Sequence, residues 1–84
     1  MNLEQFRVRI KERFEKSKSY VRTFGFSYAK FVVDDWHIDD KDLANMNATD
    51  VRGLYEELGY CLALDSVLDD LKELEWWIIL KIII

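Results

Sequence analysis

Leu3, Phe6, Ile10, Phe14, Ser17, Val21 and Phe24 recur at steps of three and four near the start of this chain. That spacing puts all seven on one face of a helix, and a helix with one such face needs a second element to cover it. Arg7, Lys11, Lys18 and Arg22 run along one side of the stripe, and Arg9, Arg13 and Lys16 along the other. Glu12 and Lys16 form an i,i+4 pair in the favourable order. The pattern predicts a basic amphipathic helix over residues 2–18, reaching as far as 23.

What covers the stripe is suggested by charge. Residues 1–30 hold eight Lys/Arg and three Glu, a net of +5, whereas residues 31–75 hold three Lys/Arg and thirteen Asp/Glu, a net of −10. Two halves of opposite sign attract each other, so the expectation is that the basic helix pairs internally with acidic helices. Exposed ion pairs contribute only about 0–1 kcal/mol each, so such pairing orients helices more than it stabilises them.

After the first helix, Thr23–Ala29 alternates small and large residues and runs into Phe31-Val32-Val33, which suits a strand. Ala29, Val33 and Trp36 suit a short helix equally, with Ser27 as its cap. The helix is preferred, because a lone hairpin is unstable without a third strand. Asp39 is read as the cap of a further short helix, and Asn47 or Thr49 as the cap of a longer one starting near Asp50. On that longer helix Val51, Leu54, Leu58, Cys61 and Leu62 cluster on one side, and Leu64, Val67, Leu71, Leu74 and Ile78 nearly opposite. A break at Gly59, with a fresh start at Ser66-Val67-Leu68-Asp69, would reconcile the two faces.

Trp76-Trp77-Ile78-Ile79-Leu80-Lys81-Ile82-Ile83-Ile84 is apolar at every position but Lys81. It is far short of the ~20 apolar residues that span a bilayer. The first expectation is a buried helix end or central strand. An oligomer interface and a membrane-interface anchor follow.

The sequence argues against catalysis. Asp34, Asp35, His37, Asp39, Asp40 and Asp42 crowd together, yet the glycine and terminal glutamate of a calcium loop are missing, so they read as a solvated loop with helix caps. One histidine and one cysteine, His37 and Cys61, make neither a zinc site nor an activated nucleophile. Gly25, Gly53 and Gly59 form no phosphate-cradling loop, and Cys61 sits in an apolar run as a buried thiol. Residues 41–52 have a faint helix-turn-helix look, but Asp50, Glu56 and Glu57 would repel phosphates. No metal or cofactor is expected.

These readings converge on one domain over 1–84, mainly α, a compact bundle of three to five helices; the alternative is a small α+β domain with strands near 20–33 and 76–83. The expected function is a non-enzymatic protein-interaction module, a small regulator or inhibitor of the size phage and mobile elements encode. It would present an acidic, aromatic-edged face, Asp65, Asp69, Asp70, Glu73, Trp76 and Trp77, to a basic protein surface. A homo-oligomer through the apolar end is compatible with this. The alternatives are a membrane-peripheral protein using the basic helix and the Trp-rich end, and a nucleic-acid binder through Arg7, Arg9, Lys11, Arg13, Lys18 and Arg22, which the pI near 4.9 disfavours. With charges scattered through Met1–Ile10, no secretory signal is read there and the expected compartment is the cytoplasm.

Overall fold

In the computed structural model, which describes residues 1–83, four helices follow one another: α1 Leu3–Thr23, α2 Tyr28–Val33, α3 Asp40–Ala44 and α4 Ala48–Ile83. The fold is mainly α, and no strand occurs among the described residues. The α+β alternative is thereby corrected. Residues 20–33 hold the end of α1, a turn and α2, and residues 76–83 are helical.

Helix α1 starts where its cap chemistry allows. The Asn2 side chain accepts from the Gln5 amide at 2.8 Å, and Gln5 answers by accepting from the Asn2 amide at 3.2 Å. It ends at Gly25, whose φ of +77° is open to glycine at no steric cost and whose amide donates to the Arg22 carbonyl at 2.9 Å. Ser27 caps α2 through the Lys30 amide, and Asn47 caps α4 through the Asp50 amide at 2.8 Å. Asp39 precedes α3 as read, without a side-chain cap bond.

The core lies between α1 and α4, which run antiparallel: Ser17 meets Glu57 and Cys61, while Arg7 reaches Glu75. Ile10, Phe14, Ser17 and Val21 are buried on α1, against Leu54, Leu58, Cys61, Leu64 and Leu71 on α4. Phe26, Tyr28, Phe31 and Ile38 close the side of this seam, with the Phe14 and Tyr28 rings edge to face at 5.4 Å. The α1 stripe thus matches its periodicity, Ser17 included, except that Leu3 and Phe6 stay partly exposed.

The expected break in the long helix is absent: α4 is one helix of 36 residues, passing through Gly59 and Ser66. Its covered positions Leu54, Leu58, Cys61, Leu64, Leu68 and Leu71 advance by 4, 3, 3, 4 and 3. That mean step is shorter than the helical 3.6, so the covered stripe winds around α4 as it follows α1. Winding reconciles the two faces that a break was invoked to explain. At Gly59 an added Cβ would meet nothing within 4 Å. Gly59→Ala is therefore expected to stabilise the protein by about 0.5–1 kcal/mol, read as a higher melting temperature by circular dichroism.

The buried reading of the apolar end is also overturned. About 54 Å of α4 faces about 31 Å of α1 at 1.5 Å per residue, and no residue of α4 after Leu71 is buried. The overhang stretches the molecule to 55 × 26 × 14 Å. Its radius of gyration is 16.2 Å, against about 12 Å for a spherical domain of this length. No described helix is long and apolar enough to cross a membrane.

Candidate functional site: an acidic and aromatic flank

Three surfaces survive folding, and the flank of α4 beside α2 is the best furnished. Four-residue steps align Asp65, Asp69 and Glu73 along it, and Trp76 follows one turn on. Asp65 has a structural task. The buried Tyr28 ring sends its hydroxyl to Asp65 Oδ2 at 2.9 Å, so this carboxylate ties α2 to α4 and is half-buried. Burial, then the bond to Asp65, raises the Tyr28 phenol well above its usual range. A folded-state value above the unfolded one gives stability that is complete below about pH 10 and declines as pH rises beyond it. Alkaline unfolding should thus begin above pH 10, and Tyr28→Phe should flatten that decline in a urea-melt series.

Asp69 and Glu73 are exposed, and neither takes part in an ion pair among the described residues. Trp76 is exposed to 66%. Asp70 and Trp77 are exposed as well, but each is turned about 100° from its neighbour, toward the next face of the helix. The six residues read as one site therefore divide. Asp65 is held, Asp69, Glu73 and Trp76 share a flank, and Asp70 and Trp77 border another.

Trp36 joins the flank from a distance that sequence spacing could not bridge. Helix α2 ends with the Asp35 amide on Val32 O at 3.2 Å and the Trp36 amide on Phe31 O at 2.8 Å. This is the ending that glycine usually provides; here Asp35 at φ 57° and Trp36 at φ 64° are both left-handed. The turn leaves the Trp36 ring 64% exposed and lining a cleft of about 330 Å³ with Val32, Leu62, Asp65, Ser66 and Asp69. Apolar walls, an indole face and carboxylates in one cleft suit a side chain with an alkyl stem and a cationic head. The left-handed pair Asp35-Trp36 was the one local signal of an unusual turn, and sequence alone does not reveal it.

The cations of α1 divide: Arg7 and Lys11 line a cleft of about 400 Å³ with Asp65, Asp69 and Lys72, whereas Arg13 and Lys16 lie on the opposite flank. Internal pairing with the acidic half is largely absent, contrary to expectation: Arg7–Glu75 at 3.4 Å is the one ion pair between α1 and α4 among the described residues. Arg7 also holds Glu4, Lys18 holds Glu15 at 2.8 Å and lies 4.6 Å from the Phe14 ring centre, and both Glu partners are on α1 itself. Arg9, Lys11, Arg13, Lys16 and Arg22 have no acidic partner among the described residues. Lys11 faces Asp65 and Asp69 across their shared cleft, and Arg13 and Lys16 share another with Glu57, without closing to ion-pair distance. Arg13, Lys16, Tyr20 and Tyr60 rim a shallow cleft with Ser17 and Glu57 at its base. There Ser17 donates to Glu57 Oε2 at 2.9 Å and accepts from the Cys61 thiol at 3.1 Å. Cys61 is fully buried, and that burial pushes its thiol up, away from the reactive thiolate. Among the described residues no three His, Cys, Asp or Glu side chains gather as metal ligands.

The third surface is the end of α4, where Trp76–Ile83 is exposed on every side. Comparison with protein-family models, with curated proteins and with solved structures finds no match to this chain.

Proposed function

We propose that this protein is a non-enzymatic interaction module, a small regulator or inhibitor that docks the flank Trp36–Asp69–Glu73–Trp76 on a basic protein surface. The observation that carries the reading is the meeting of Trp36 with Asp65 and Asp69 in one cleft, continued along α4 by Glu73 and a second tryptophan, Trp76. Indoles supply desolvated contact area, and carboxylates supply steering and select a cationic partner. A guanidinium or ammonium would sit against the Trp36 face, its stem on Val32 and Leu62 and its charge toward Asp69. Charge steering is screened by salt, so binding to an arginine-rich peptide is expected to weaken at least about tenfold between roughly 50 and 500 mM salt. All three tryptophans are exposed, and their fluorescence reports the titration. Affinity indifferent to salt would overturn the reading.

A second reading is favoured by one observation. Antiparallel packing puts Arg7, Arg9 and Lys11 at the same end of the molecule as Trp76–Ile83, the combination of a membrane-peripheral protein. Flotation with anionic liposomes tests it, and failure to co-float removes it.

A further inference from the structure

We infer that the overhanging end of α4 pairs antiparallel with the same segment of a second copy, making the protein a two-fold dimer. Trp76, Trp77, Ile78, Ile79, Leu80, Ile82 and Ile83 are each exposed by 41–79%. With Leu3, Phe6 and Leu74 beside them, they offer roughly 1,000 Å² of apolar surface per copy, taking about 200 Å² for each fully exposed large side chain. Isolated proteins rarely carry a contiguous patch larger than a few hundred Å². Covering half of it on each of two copies buries about 1,000 Å² in total, the size at which specific interfaces begin.

Charge selects both the occupant and its direction. Lys81 is the one charged residue beyond Glu75, which Arg7 holds, and Asp70 stands three turns before Lys81 on nearly the same side of α4, with exposed Leu74 and Ile78 beside them. Antiparallel pairing brings Lys81 of each copy alongside Asp70 of the other. Parallel pairing would set lysine against lysine and acid against acid. An anionic bilayer is a poorer occupant. Around this end Glu4, Asp69, Asp70, Glu73 and Glu75 balance Arg7, Arg9, Lys11, Lys72 and Lys81, which leaves no net attraction.

The pairing uses the side of α4 that carries Leu74, Ile78 and Lys81, from which Trp76, Asp69 and Glu73 are turned away, so it stands or falls separately from the flank's binding role. Sedimentation velocity of the full chain over a concentration series tests it, with circular dichroism to check folding. The wild type is expected as a dimer at tens of micromolar. Lys81→Glu, at an exposed position, is expected to raise the dimer Kd at least about tenfold. Asp70→Lys, also at an exposed position, should do the same, and mixing the two variants should restore association as a heterodimer. A monomer at every concentration, or a Lys81→Glu variant that dimerises as tightly as the wild type, would overturn the inference. So would a monomer that floats with anionic vesicles, since the bilayer would then be the occupant.

Discussion

Leu58→Ala is expected to cost about 3 kcal/mol and to lower the melting temperature by about 12–24 °C for a chain of this size. Leu58 is 1% exposed, midway along the seam between α1 and α4. Truncating it removes the transfer energy of three carbons and leaves a hole between two long helices. Their other contacts, Leu54, Cys61 and Val21, already sit at 0% exposure and have no room to collapse inward without disturbing Ser17 and its bonds. Domains are stable by about 5–15 kcal/mol in total, so one such loss is a large share. The control is Leu80→Ala, the same chemical change on the overhang. Measured at a concentration where the chain is monomeric, it should stay within about 0.5 kcal/mol of wild type. Equal losses at Leu58 and Leu80 would mean that the end of α4 is packed.

Reversing both acids of the flank, Asp69→Lys with Glu73→Lys, should weaken binding of an arginine-rich peptide about a hundredfold, near 1.4 kcal/mol for each reversed charge. Both side chains are exposed and hold no partner among the described residues, so the melting temperature should hardly move. The matching reversal across the molecule, Arg13→Glu with Lys16→Glu, removes positive charge far from the flank and should leave the affinity equal or slightly better. Trp36→Ala is expected to lose affinity with little loss of stability, because its ring stands outside the core. Together these variants separate a steering surface from a general effect of net charge.

Much of the scaffold is legible in the residues themselves. The α1 stripe follows directly from its three-and-four spacing, and Ser27 and Asn47 mark helix starts because their side chains replace missing backbone partners. Gly59 misleads, since a helical glycine costs only about 1 kcal/mol and the leucines packed around it against α1 outweigh that. The fate of Trp76–Ile83 was not legible either. Composition makes the segment look buried, but burial depends on how far α1 reaches along α4, a length relation visible only once the two helices are paired. The same holds for the cations. Net charge suggested that the two halves neutralise each other, while Arg13 and Lys16 share a cleft with Glu57 and Tyr60 of α4 without forming an ion pair there.

The flank itself was half readable. Asp69, Glu73 and Trp76 follow from i,i+4 spacing on α4, whereas Asp65 turned out to be engaged by Tyr28, thirty-seven positions away in the chain. Trp36 entered through a left-handed turn that brings a residue of the α2–α3 connection against α4. No periodicity encodes that meeting.

The most direct measurement is a residue-resolved NMR titration of the labelled full chain with an arginine-rich peptide, in low and high salt. The flank predicts shifts at the Trp36 and Trp76 indoles and at the amides around Asp69 and Glu73, fading as salt rises, with Arg13, Lys16 and Tyr20 unmoved. Shifts confined to the Arg13–Lys16–Tyr20 side, or none at Trp36 and Trp76, would contradict it.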